Sequence, residues 1–479
     1  MAEPLVVGID SSTQSTKAVA RELHSGRVVA TGHSPHPPTT PPTSEQDPAA
    51  WWHALVDAVG QLGDVRRDVQ GLSVAGQQHG LVVTDADGVP LRPAKLWNDT
   101  ESAPQAAALV ERLGATVWAK AVGSVPVAAF TITKLAWLAA HEPGVLARTE
   151  RVFLPHDWLT FRLTGEHVTD RGDASGTGWF DPTAPVGEGG SYRPDLLAAA
   201  LEGALPEVAD PGDWLDRLPV VLRPGQAAGP LTAGATERLG LGPHVIVAAG
   251  TGDNMAAALG LGLRPGDVAI SLGTSGTVYS VSETPTADPT GAVAGFADAT
   301  GRYLPLVCTL NATKVTDTVA RWLGTDPAGL AALALAADAA REHRPTLVPY
   351  FDGERTPNLP DATGSVTGLR NDTTREDLAL AAHDGVLRSL LAGLDALRTA
   401  GVAADGRVHL VGGGARSPAY RQRLADLLGE AIVVPDEGEA VAGGAAVQAA
   451  AVVGGDSSDV DALAGAWELG HGLVVGPSQ

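Results

Sequence analysis

A single cysteine, Cys308, occurs in 479 residues. One thiol closes no intrachain disulfide and builds no cysteine-rich zinc site. Positive charge is also in short supply: 33 lysines and arginines stand against 55 aspartates and glutamates, a formal net charge of −22. So acidic a surface repels phosphate backbones and anionic headgroups, so neither nucleic acid nor membrane is expected as a partner. Long apolar runs are missing too. Met1 to Ile9 has neither a basic stretch nor an extended apolar core, so it does not read as a signal peptide. The most apolar segment, Val245 to Leu263, is broken by Thr251, Asp253 and Asn254 before it reaches a membrane-spanning length. A cytoplasmic protein is the expectation. No lysine follows a glycine, which removes the Gly-Lys of a Walker A loop and with it the P-loop nucleotidases.

What is present points to an α/β protein. The length exceeds one typical domain, and 44% hydrophobic residues suffice for sizeable cores. Leu5 to Ile9, Val245 to Ala249 and Val408 to Val411 are apolar runs that each end in small or polar residues, the pattern of strands entering tight turns. Between them, Asp377 to Leu397 and Tyr420 to Leu428 carry helical spacing. Pro35 to Pro42 is a proline-rich surface loop, and the stretch after Gly454 carries no readable pattern. Ile9 to Thr16 can be laid over Ile270 to Thr277 so that Ile9/Ile270, Thr13/Thr274 and Thr16/Thr277 coincide. Two similar domains around a shared cleft would explain this, and so would chance among small-residue turns.

Four turns could carry chemistry. After Leu5 to Ile9, a Ser/Thr turn could aim backbone N–H groups and hydroxyls at a phosphate, with Asp10 at its mouth to hold Mg²⁺; equally, it could satisfy only its own backbone. In Gly250-Thr-Gly-Asp-Asn254, Asp253 could accept a proton from a substrate hydroxyl, or could cap a helix from Met255 to Leu263. Gly76-Gln-Gln-His-Gly80 sets hydrogen-bonding side chains between glycines, which suits a polyol or a polar turn, and Trp97 could add an aromatic wall. Gly412-Gly-Gly-Ala-Arg-Ser417 would let a ring or phosphate lie on the backbone, and a tight strand–helix connection explains it equally well; it lacks G-x-G-x-x-G spacing, so a dinucleotide fingerprint is not supported.

Taken together, these residues resemble the FGGY family of carbohydrate kinases, most closely its D-xylulose kinases. The likeness runs from Gly8 to about Ala450. It rests on Gly8 to Lys17, Gly76 to Gly80, Leu96 to Asp99, Phe130 to Trp137, Asp173 to Thr177, Gly252 to Asn254, Ser271 to Gly276, Gly353 to Pro357, Gly364 to Leu369 and Gly412 to Ala415. The resemblance implies two actin-like (ribonuclease H-like) ATPase domains, expected over 1–243 and 244–479, with ATP and a sugar in the cleft between them. It implies ATP-dependent phosphorylation of D-xylulose, or of L-ribulose, L-xylulose or a related polyol. A non-catalytic actin-like sugar sensor is the remoter alternative, and a homodimer is compatible with the family. Asp253 would be the general base, and Asp10 would serve Mg²⁺ and the phosphates. Gln78, His79, Asp253 and Asn254 would hold the sugar. Thr13, Gly273 and Thr274 would face phosphate, and Gly413, Gly414 and Ser417 the adenosine. Three positions depart from the family's usual residues: Ser12 where many relatives have Gly, Gln78 where many have Met, and His383 where an apolar residue is usual.

Overall fold

The computed structural model describes residues 3–184, 191–202, 214–436, 438–455 and 459–478. The strand Leu5–Ser11 is buried along its whole length. Both faces are covered, which is why it reads as an unbroken apolar run rather than an alternating one. On one face lies the helix Pro48–Gly60. Asp47 caps it by accepting from the Ala49 N–H, and Trp51, Leu55 and Val59 face the sheet. On the other face lies a helix from far along the chain, Ala440–Gly454. That helix is built from small residues and touches its neighbours backbone to backbone. A Cβ on Gly8 would sit 1.9 Å from the Ala442 carbonyl oxygen, and one on Gly444 would sit 1.9 Å from that of Ala256.

Leu5–Ser11 is the centre of a mixed sheet in the order Ala227–Pro230, Ile246–Ala248, Val69–Gly76, Leu5–Ser11, Ser15–Glu22, Val28–Pro35. A second sheet repeats this plan. Val268–Leu272 pairs antiparallel with Gly276–Ser280 and parallel with Val408–Val411, as Leu5–Ser11 does with Ser15–Glu22 and Val69–Gly76. Ile9 stands opposite Val74 and Ile270 opposite Leu410. The repeat in the sequence therefore reflects two equivalent hairpins, although their registers differ: Ser11 pairs with Thr16, but Ser271, rather than Leu272, pairs with Thr277. This doubled sheet is the expected actin-like arrangement.

Neither lobe is one continuous stretch of chain. Ile246–Ala248 and Thr251–Gly252 both pair with Val69–Gly76, so the division expected at 243/244 falls inside the first sheet, and the chain enters the second only at Val268. It returns to the first lobe with Ala440–Gly454 and goes back again with Gly472–Val475, an edge strand paired to Ile432–Pro435 in the segment that had carried no sequence signal. Helix bounds also differ slightly from expectation. Arg375–Thr399 starts at a capping box formed by Thr374 and Asp377. One hydrophobic cluster joins Trp118, Phe130 and Trp179 of the first half to Tyr279, Phe296 and Leu304 of the second, and so floors the cleft.

Candidate active site

Asp10 is the penultimate residue of the first strand and is buried with the rest of it. Its Oδ1 is buried and takes no partner among the described residues. Burial pushes its pKa up to about 7 against the pull of Lys17, with Glu439 adding to the rise. Lys17 itself is paired to Glu439 at 2.7 Å. In the following turn the Thr13 hydroxyl is already engaged. It donates to Gln77 Oε1 at 3.1 Å and accepts from Trp97 Nε1 at 2.9 Å. The side chain expected to face phosphate therefore braces the turn, and Gln14 is the residue of this turn that lines the nucleotide-sized cavity described below. Trp97 is a brace, not a wall. Asp99 is buried among Lys95, the Ser44 N–H and the Glu101 N–H. Glu45, Asp99 and Glu101 converge closely enough to suggest a cation site, but Lys95 Nζ lies 2.6–3.1 Å from all three and supplies the charge.

Asp253 is the first residue of the helix Asp253–Gly260, and Gly252 holds the cap position with no side-chain bond. Asp253 therefore lies inside the first turn rather than at the cap, and only one of its carboxylate oxygens meets a free N–H of that turn. Oδ1 accepts from the Asn254 N–H at 2.8 Å and from Asn254 Nδ2 at 2.9 Å; Oδ2 takes no such bond from the described residues. Burial, reinforced by the charges of Asp10 and Asp173, lifts its pKa to about 7. Asn254 Nδ2 also donates to Gln78 Oε1 at 2.7 Å, which joins two of the sequence motifs directly.

His79 is a non-glycine residue held at φ 65°, a backbone state that costs energy and concentrates at functional sites. Its Nδ1 lies 2.9 Å from the Gly176 carbonyl oxygen. A carbonyl only accepts, so Nδ1 carries the proton and Nε2 keeps its lone pair. Burial, with Lys134 and Arg355 nearby, pushes the ring's pKa down to about 3, so it is neutral. Phe130 and Phe296 flank it at 5.0 and 5.5 Å between ring centres, and Phe296 comes from the second sheet. The Gly of Asp173-Ala-Ser-Gly-Thr177 is explained by the same ring: a Cβ on Gly176 would lie 2.4 Å from His79 Cε1.

Beneath this cluster lies a set of buried charges that the motifs did not reveal. His156 Nδ1 is 2.9 Å from Asp173 Oδ2, and Nε2 is 3.1 Å from Asp157 and 3.8 Å from Asp170. Burial opposes the imidazolium, yet Asp157, Asp173 and Asp170 together lift its pKa to about 9. Burial also raises the three carboxyls, Asp157 to about 7. The second lobe contributes Arg355. The Glu354 carboxylate accepts from the Leu310 N–H, the Asn311 Nδ2 and the Arg355 N–H, pinning this loop beyond the end of the strand that carries Cys308. From there the Arg355 charge acts on His79 and Lys134 across the cleft.

The remaining expected residues share one cavity of about 740 Å³, lined by Gly273, Thr274, Gly413, Gly414 and Ser417. Gly412, at φ 86°, lets this loop run against the Leu272 backbone. Thr313 Oγ1 donates to the Gly273 carbonyl at 2.9 Å and fixes the second turn. Ser417 caps the helix Pro418–Leu428. Residues 5–260 match the N-terminal domain of the FGGY family of carbohydrate kinases, and residues 268–453 match its C-terminal domain. This chain belongs to the FGGY carbohydrate kinases. Among FGGY kinases it is 48% identical over 474 residues to a xylulose kinase of Streptomyces rubiginosus, covering 98% of this chain and 92% of that one. It is 49% identical to a xylulose kinase of Streptomyces coelicolor over the same length and shares. The crystal structure of xylulose kinase from Bifidobacterium adolescentis superposes with a TM-score of 0.87 at 42% identity, covering 100% of this chain and 98% of that one. As in other members of the family, ATP is the phosphoryl donor.

Proposed function

We propose that this protein is a xylulose kinase that transfers the γ-phosphoryl group of ATP to the terminal hydroxyl of D-xylulose. The carrying observation is the bonded cluster of Asp253, Asn254, Gln78 and His79, which sits on the first-lobe side of a cleft whose other side is the glycine-lined cavity. The named relatives support the choice of sugar.

His79 Nε2 accepts from one sugar hydroxyl, and Gln78 and Asn254 hold others. Phe130 and Phe296 keep water from the ring's faces. Asp253 faces the hydroxyl that reacts. The sugar oxygen bonds to the γ-phosphorus, the bond from that phosphorus to the β–γ bridging oxygen breaks, and ADP leaves. Oδ2 of Asp253 takes the hydroxyl proton late, as the new bond forms. The protein's share is mainly positioning. The unpaired Oδ1 of Asp10 suits a divalent cation, directly or through water. Asp10 would hold Mg²⁺ there, and the ion would supply positive charge against the phosphates. Gly273 and Thr274 face the phosphates, and Gly413, Gly414 and Ser417 face the adenosine.

A panel of ketoses and polyols in a coupled ADP-release assay tests this. D-xylulose gives the highest kcat/KM if the reading is right. A higher value for L-ribulose, L-xylulose or glycerol would replace the substrate, and the absence of sugar-dependent ADP release would overturn the reaction itself.

A further inference from the structure

The helix Arg375–Thr399 places one titratable side chain in the wall of the nucleotide cavity, His383. Its orientation is fixed from two sides. Nδ1 lies 2.9 Å from the Ala379 carbonyl oxygen, one helical turn earlier, and the ring packs on Tyr420 with centres 4.6 Å apart at 58°. Because the carbonyl can only accept, Nδ1 is the protonated nitrogen and Nε2 presents a lone pair. Nε2 takes no partner from the described residues, nor is it among the buried polar atoms left unpaired. The ring is almost wholly buried, so the surface it keeps belongs to the cavity.

The cavity has two ends. At one, Thr313 holds the Gly273 carbonyl beside Thr274. One turn further along the same helix, about 5 Å away, the Thr316 hydroxyl lies 3.1 Å from the Tyr420 hydroxyl, beside His383. The same cavity is lined by Ala328, Ala331 and Pro418, apolar surfaces suited to a planar ring. Burial lowers the His383 pKa, with Arg423 adding to that effect and Asp384 opposing it, so the lone pair persists at neutral pH.

Resting on the reading of this cavity as the ATP site, we propose that His383 reads the base, its Nε2 accepting a hydrogen bond from the 6-amino group of adenine. A 6-oxo purine would set a carbonyl oxygen against that lone pair and leave both unpaired. Calorimetric binding of ADP and of purine riboside 5′-diphosphate, in which hydrogen replaces the amino group, tests this without any sugar. Unmodified protein binds ADP about tenfold more tightly, the worth of one such bond. His383→Leu binds both equally, with affinity for the amine-free nucleotide within about twofold of the unmodified protein's. His383→Gln, whose side-chain carbonyl can accept, retains part of the preference. Retention of the full preference by His383→Leu, or its absence from unmodified protein, overturns the assignment. Should unmodified protein bind neither nucleotide, the ATP-site reading falls and takes this one with it, whereas sugar-dependent turnover with no base preference sinks this inference alone.

Discussion

Replacing the proposed base should make the protein more stable while disabling it. Ionising Asp253 is costly because the carboxyl is buried and because the charges of Asp10 and Asp173 add to the cost. Displacement from 3.8 to about 7, at about 1.4 kcal/mol per unit, gives about 4 kcal/mol for a rigid site; water and relaxation reduce this to about 1–3 kcal/mol. The sign follows from the direction. The folded state holds this proton more tightly than the unfolded chain, so the contribution is fully present below about pH 4 and is lost as pH rises through about 7. Asp253→Asn carries no such proton, yet its Oδ1 still accepts from Asn254. At pH 8, in buffer free of metal and nucleotide, the variant should resist urea better by about 1–3 kcal/mol, and at about pH 4, where the carboxyl stays protonated in the folded state and is half protonated in the unfolded chain, by much less. Its kcat should fall by about 10²–10⁴. A variant less stable than the parent at pH 8, or shifted equally at both pH values, would refute the argument that ionised Asp253 is held at a cost.

The same group sets a pH profile: log kcat/KM should fall with unit slope below about pH 7, and a flat profile between pH 5 and 8 would remove the base role. Asp10→Asn should lower turnover at least about 100-fold and abolish the Mg²⁺ dependence of nucleotide protection in thermal melts; unchanged dependence would show the cation sits elsewhere. His156→Leu leaves Asp157, Asp170 and Asp173 without their cation and should cost about 3–5 kcal/mol in urea unfolding. A cost below about 1 kcal/mol would mean these carboxyls are already neutral. Gly8→Ala drives a methyl into the Ala442 carbonyl and should cost about 3 kcal/mol, whereas Gly60→Ala, with open space around it, should be neutral or stabilising by up to about 1 kcal/mol.

The parts legible in the sequence were those whose signal is local. A small-residue turn directly after an apolar strand marks Asp10, Gly273–Thr274 and Gly412–Gly414, and each does sit at the end of a strand. The motif at Asp253 follows the short strand Thr251–Gly252. What stayed hidden depends on distant partners. His156 and Asp173 are 17 residues apart, and nothing in either neighbourhood announces that the first turns of two helices will meet. The bonds of the Thr13 hydroxyl were equally hidden, because its partners Gln77 and Trp97 lie 64 and 84 residues away. Ala440–Gly454 is apolar on every side and shows no stripe to say which sheet it covers.

The three passages of chain between the lobes run side by side. A Cβ on Gly470 would lie 2.0 Å from the Leu261 carbonyl oxygen, and the Asp436 N–H donates to the His471 carbonyl at 3.2 Å. A second attachment lies along the edge strand Ala294–Ala297, where the Gly295 N–H donates to the Gly123 carbonyl and the Ala297 N–H to Ser175 Oγ, both at 2.9 Å. Two fixed places define a pivot line. A swing that spares both would leave Phe296 against His79 and carry Thr274 and Gly413 toward or away from Asp10, so under the proposed roles the sugar side would stay assembled while the nucleotide side moved like a door on its pins.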